Sequence, residues 1–299
     1  MRFAVIDIGS NTIKLNIYKS RGKRIEETDA VTERAALASY KLTGALSDEG
    51  ISVLINVILG FEKICGKKRI KRIFPFATQS LRGISNTDDV LARVKSETGY
   101  DIDVIPGEEE ARLGFKSFIS EFGTECSGIL ADMGGGSTEL TVFDGDRIIF
   151  SKSLPFGSLS LAKESEAGVI PDTATLSRIE NNVLSYIRQS GLDAKCGTLY
   201  ATGGTASGAV RLCREYGIAG KNVFSVGDLK KLTEEAGKDP EAYARRVKDL
   251  LPERYDSIYT GIAAYITICE AVSVNTFVRS KTTCRYGYAV ELFEKRLKK

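Results

Sequence analysis

Phe3-Ala4-Val5-Ile6-Asp7-Ile8-Gly9-Ser10-Asn11 and Ile129-Leu130-Ala131-Asp132-Met133-Gly134-Gly135-Gly136-Ser137-Thr138 read as one device built twice. Each is an apolar run that ends in an aspartate and passes into glycine and hydroxyl residues. The pattern predicts a buried strand entering a tight hairpin whose backbone N–H groups face outward. Glycine there permits positive φ and lets an anion such as phosphate approach the main chain. Asp7 and Asp132 stand where a carboxylate can hold a hydrated divalent cation. One such turn carries little weight. Two copies, 125 residues apart, point to two similar lobes gripping one phosphorylated ligand.

A chain of 299 residues exceeds one typical core and predicts two domains of roughly 150 residues each. Its hydrophobic and charged fractions, 42% and 27%, are ordinary for a globular protein. The net charge of +3 neither demands nor excludes a polyanionic partner. No apolar run approaches membrane-spanning length, and Asp7 interrupts the Phe3–Ile6 run too early for a signal peptide. The expectation is therefore a cytoplasmic protein without membrane contact. Six scattered cysteines with no C-x-x-C pair suit reduced, buried thiols. The chain has no histidine. Catalysis must rest on carboxylates, hydroxyls, Lys, Arg or an oxygen-bound metal.

Strands are expected at 2–9, 12–18 and 24–33; Ile13, Leu15 and Ile17 alternate with Lys14 and Asn16. Ser47 reads as the N-cap of a helix ending near Gly66. A strand at 72–77, a helix from Thr87, a strand at 102–105 and a helix opened by Gly107-Glu108-Glu109-Glu110 follow. The pattern then restarts. Strands are expected at 127–134 and 137–143, with Asp144-Gly145 turning into a strand at 147–153. Next come helices at about 172–190 and 205–216, separated by the strand Thr198–Ala201, and a helical stretch over 227–272 punctuated by Pro240 and Pro252. A short strand at 276–280 leads into a last amphipathic helix. The fold class is α/β. The expected division is 1–122 and 123–299, with the last helix, about 286–299, packing back on the first lobe.

Asp7 and Asp132 have a plainer reading, as carboxylates capping the following turn. Considered as a pair, they favour the cation and phosphate role. Gly134-Gly135-Gly136 weakens any regular element and marks a tight loop or a close ligand. Ser137 and Thr138 add hydroxyls. Ala201-Thr202-Gly203-Gly204-Thr205, following an apolar strand and leading into a helix, is a third loop of this kind. Glu108, Glu109 and Glu110 favourably meet a helix dipole. Glu139, beside a phosphate loop, suits a metal or activated water. Thr78 and Arg82 follow the 72–77 strand, where Arg82 either clamps a phosphate or is a solvated arginine. The basic clusters at 67–72 and 295–299 lack interleaved aromatics and read as solvated faces rather than nucleic-acid sites.

These residues resemble the exopolyphosphatase / guanosine pentaphosphate phosphohydrolase family, within the actin-like, sugar-kinase-like and Hsp70-like superfamily. The resemblance runs through Asp7–Thr12, Ala77–Arg82, Gly107–Arg112, Asp132–Leu140, Gly203–Thr205 and Arg285–Gly287. It implies two ribonuclease H-like lobes with an inter-lobe cleft, in the short two-domain form. It also implies hydrolysis of a terminal phosphate of inorganic polyphosphate, or of guanosine pentaphosphate. A non-hydrolytic ATP-binding scaffold is the reading from another class. By resemblance Glu110 is the catalytic base, and Glu139 positions water or metal. Mg²⁺ is expected on Asp7, Asp132 and Glu139. Phosphate is expected on Gly9, Ser10, Asn11, Thr78, Arg82, Gly134, Gly135, Gly136, Ser137, Thr138, Gly203, Gly204 and Thr205. A homodimer is common in the family. The chain departs from the family's Ser-x-Gly and Arg-Glu-Gly stretches, with Ser280-Lys281-Thr282 and Arg285-Tyr286-Gly287 in their place.

Overall fold

The computed structural model describes residues 1–22, 24–218 and 222–297. Lys298 and Lys299 of the C-terminal basic cluster lie outside them. The chain forms two compact units, Met1–Leu113 with Cys284–Lys299, and Gly114–Thr283.

The first unit opens with β1 (Arg2–Ile8), β2 (Thr12–Arg21) and β3 (Arg24–Arg34), an antiparallel meander. A 3-10 turn at Leu37–Tyr40 and a small hairpin, β4 (Lys41–Leu42) and β5 (Ala45–Leu46), lead to α1 (Asp48–Lys67). Ser47 caps α1 as expected, its side chain accepting the Gly50 amide. β6 (Ile73–Ala77), α2 (Gln79–Arg82), α3 (Thr87–Thr98), β7 (Asp103–Val104) and α4 (Gly107–Phe122) follow. The sheet order is β3-β2-β1-β6-β7, with β6 and β7 parallel to β1.

The second unit repeats the plan. β8 (Ser127–Met133), β9 (Thr138–Asp144) and β10 (Arg147–Leu154) form the meander. Then come α5 (Ser158–Glu164), α6 (Thr173–Ser190), β11 (Thr198–Thr202), α7 (Gly203–Glu215) and β12 (Val223–Ser225). α8 (Val226–Lys238), α9 (Pro240–Leu250), α10 (Ile258–Ala271) and β13 (Thr276–Arg279) complete it. The order is β10-β9-β8-β11-β13-β12; β11 and β13 run parallel to β8, and β12 adds an antiparallel edge. Both sheets therefore have the ribonuclease H-like order implied by the resemblance. α10 is apolar almost all round and buried accordingly. Among the described residues, no helix is long and apolar enough to cross a membrane.

The chain then re-enters the first unit as α11 (Cys284–Leu292) and a π-helical turn, Phe293–Leu297. β1 is buried on both faces, as its continuous apolar run suggests. Ala4, Ile6 and Ile8 pack with residues of α1 such as Leu54 and Ile58, whereas Phe3 and Val5 pack with Tyr288 and Leu292 of α11. This second covering layer accounts for Asn16, which alternates with Ile13, Leu15 and Ile17 and yet is buried. The alternation in β2 could not reveal that a segment some 270 residues later shields its other face.

The division of the chain also differs from 122/123. It falls inside α4, because Leu113 belongs to the core of the first unit while Phe115 and Phe118 pack with Leu130, Phe143 and Tyr200 of the second.

Candidate active site

The two hairpins are alike in detail. β1 and β8 have the same alternation of burial along their length, with Asp7 and Asp132 at the same half-buried place before the last residue. Closing pairs Ile8–Ile13 and Met133–Thr138 leave four-residue loops of equal length. In one, the Gly9 amide donates to the Thr12 carbonyl at 3.1 Å; in the other, Gly134 donates to Ser137 at 2.9 Å. Glycine is needed for space rather than for left-handed backbone. A Cβ on Gly9 would lie 2.8 Å from the Thr12 carbonyl oxygen, and one on Gly135 3.1 Å from Leu159 Cδ1. Among the three expected phosphate loops only Gly203 has positive φ, +88°.

Both loops have their carbonyls tied from behind. The Ala36 and Ala38 amides donate to the carbonyls of Asn11 (2.8 Å) and Ser10 (2.9 Å). In the second unit, the N-terminal amides of α5 do the same: Ser158 donates to Gly134 at 2.9 Å, and Leu159 and Ser160 to Gly135 at 3.1 and 3.0 Å. Gly157 makes that approach possible, since a Cβ there would sit 2.5 Å from the Gly134 carbonyl oxygen. With those carbonyls occupied, what a loop of this kind can present to a ligand is N–H, the donor type that suits an anion.

In the first unit, Glu110 lies in the first turn of α4 and is largely buried. Arg82 Nη1 donates to Glu110 Oε2 and to the Ile105 carbonyl, both at 3.1 Å, and Nη2 donates to Gln79 Oε1 at 3.1 Å. The expected phosphate clamp is thus brought onto the expected base, whose carboxylate it holds in place. Thr78 is the residue from which α2 starts. The cation beside Asp7 is Arg285, whose Nη1 donates to Asp7 Oδ2 at 2.8 Å. Burial alone would lower the Arg285 guanidinium, but Asp7, Tyr18 and Glu27 outweigh it and leave it raised.

In the second unit, Asp132 and Glu139 face each other as register partners on β8 and β9. Ser153 Oγ, on the strand beyond, donates to Glu139 Oε1 at 2.7 Å. Asp132 also pairs in register with Thr202, which precedes α7, and its Oδ1 would be 3.0 Å from a Cβ on Gly203. The Asp132 carboxylate therefore adjoins the N-terminus of α7. Two expected contacts are corrected. Thr138 donates its hydroxyl inward to the Phe156 carbonyl at 2.7 Å, because its side of β9 faces the core. Thr205 is fully buried against Gly261 and Ser158, with an Oγ1 that has no partner.

Sequence reading missed Arg254. Its guanidinium lies directly over Gly204, where a Cβ would fall 1.6 Å from Nη2. Burial lowers its pKa, and Tyr265, whose hydroxyl donates to the Thr202 carbonyl at 3.1 Å, is close enough to feel its charge. A lone arginine after Pro252 has no pattern that would have flagged it. Two surface grooves of the first unit, of about 200 and 480 Å³, meet at Asp103 and Tyr288, and none of the expected site residues lines either.

The chain has recognisable relatives. The family model described as the Ppx/GppA phosphatase family matches residues 27–296. The chain is 34% identical over 169 residues to exopolyphosphatase 1 of Mycobacterium tuberculosis, covering 55% of this chain and 48% of that protein. It is 24% identical over 307 residues to the guanosine-5'-triphosphate,3'-diphosphate pyrophosphatase of Photobacterium profundum, covering 98% and 59%. The chain spans about half the length of the curated relatives it matches. The solved Aquifex aeolicus PPX-GPPA enzyme superposes with a TM-score of 0.79 at 25% identity, covering 97% of this chain and 99% of that one.

Proposed function

The chain belongs to the Ppx/GppA phosphatase family, and from that premise we propose that it is an exopolyphosphatase releasing the terminal phosphate of inorganic polyphosphate. The observation that carries the reading is the pair of equal hairpins whose carbonyls are held from behind, leaving amides for phosphate oxygens. Higher identity to a relative named as an exopolyphosphatase favours polyphosphate. Near-complete coverage by a relative named for a guanosine pentaphosphate supports the second reading, removal of its 5′-terminal phosphate.

In the reaction, the glycine-loop amides and Arg254 of the second unit hold phosphoryl oxygens as negative charge redistributes among them. Glu110, held in place by Arg82, accepts the proton of the attacking water. Among the described residues no three Asp, Glu or Cys side chains gather into a metal group. Mg²⁺ needs only one or two carboxylates beside phosphate and water, so the cross-strand pair Asp132 and Glu139 fits it. Bound there, it would neutralise charge on the transferred phosphoryl group. Asp7, already paired with Arg285, steadies its hairpin.

Glu110→Gln is expected to fold normally and to lose at least about 10²-fold in phosphate release from polyphosphate. Near-normal turnover, read by a malachite-green assay, would reject Glu110 as base. Comparing kcat/KM for polyphosphate and guanosine pentaphosphate separates the two substrates. Tight ATP binding with no release from either would instead favour the scaffold reading.

A further inference from the structure

Lys41 is a half-buried lysine with one hydrogen bond: Nζ donates to the Gln79 carbonyl at 3.3 Å. Among the described residues no carboxylate pairs with it. A desolvated ammonium without a counter-charge is costly, and burial lowers its pKa accordingly. Its place is specific. Gln79 follows Thr78, and its side-chain oxygen accepts Arg82, so Lys41 and Arg82 donate to the same residue, one to its backbone and the other to its side chain. The segment leading to Lys41 is the one whose Ala36 and Ala38 amides hold the Asn11 and Ser10 carbonyls. The backbone around it is also constrained: Ala36 and Thr43, neither of them glycine, have φ of +47°, a conformation that persists only where the surroundings impose it.

Resting on the polyphosphate reading, we propose that Lys41 is a specificity-determining contact for a phosphate beyond the one being cleaved, and so sets the preference for longer chains. Arg82 spends three N–H directions on Glu110, Ile105 and Gln79 and belongs to the reacting end. Lys41 gives one of its three N–H groups to the Gln79 carbonyl, which leaves two for a further phosphate. A compact ammonium on a flexible stem suits a mobile run of phosphates better than a fixed fork does.

The test compares wild type, K41M and K41R on long-chain polyphosphate and on tripolyphosphate. K41M is expected to raise KM for the long chain about tenfold with kcat changed less than twofold. The ratio of kcat/KM, long to short, should fall about tenfold, and K41R should restore most of it. Equal effects on both substrates, or a long-chain KM within twofold of wild type, would overturn the proposal. If wild type hydrolyses neither substrate, the polyphosphatase reading fails separately. Isothermal titration of long-chain polyphosphate into wild type and K41M then decides the role of Lys41. Tenfold weaker binding to K41M supports it, and equal affinity rejects it.

Discussion

Gly204→Ala should separate folding from function. The new Cβ would lie 1.6 Å from Arg254 Nη2, 2.1 Å from Cζ and 2.5 Å from Nε. A non-bonded contact needs roughly 3.5 Å, so the guanidinium must retreat by roughly 2 Å to reach that separation. Side-chain torsions can absorb that movement, and alanine in a helix is favoured over glycine by up to about 1 kcal/mol. Tm is therefore expected to hold or rise slightly. Activity should not survive, because misplacing a binding group by about 1 Å costs on the order of 10²-fold. That is roughly 2.7 kcal/mol of transition-state stabilisation. The assay is steady-state phosphate release from polyphosphate by wild type, Gly204→Ala, Arg254→Ala and the double variant. If the methyl acts through Arg254, the double variant is no worse than Arg254→Ala alone. A further 10²-fold loss in the double variant would mean that the methyl blocks the anion directly. Should Gly204→Ala retain kcat/KM within about threefold, Arg254 does not touch the ligand and the second-unit site is wrongly drawn.

Gly287→Ala should behave in the opposite way, because its Cβ would meet the Leu113 carbonyl oxygen at 2.0 Å and backbone cannot swing aside. A loss of about 3 kcal/mol, seen as a Tm lowered by roughly 6–12 °C, is expected; an unchanged melt would refute the close crossing of α11 on α4. Glu139→Gln should weaken Mg²⁺ binding about tenfold by isothermal titration, and unaltered Mg²⁺ affinity would remove Glu139 from that site. Cys126 is the one cysteine of six that is not buried. Burial pushes Cys65 and Cys213 up to about 11 and Cys269 up to about 12. One thiol per native chain should react rapidly with Ellman's reagent at pH 8, and two or more would contradict the packing.

The hairpins were legible because a buried strand, a carboxylate and a glycine turn each constrain composition locally, so equal spacing in sequence became equal loops in space. The Ser47 cap and the Asp144-Gly145 turn, with Gly145 at φ +60°, were readable for the same reason. α5 was not. Its seven residues are too few to show a helical period, yet its amides tie back the triple-glycine loop. The glycines themselves were misread in part: close approach, rather than positive φ, explains Gly9 and Gly135.

Residue order by itself determined the doubled α/β plan, the absence of histidine chemistry and the carboxylates available for the reaction, since all three follow from local pattern and composition. Only the tertiary structure decided which charges meet. Arg82 with Glu110, Arg285 with Asp7 and Arg254 over Gly204 join residues 28, 278 and 50 positions apart. Charge pairing acts over a few ångströms of space and leaves no period along the chain, so those partnerships appear only once the sheets and helices are assembled.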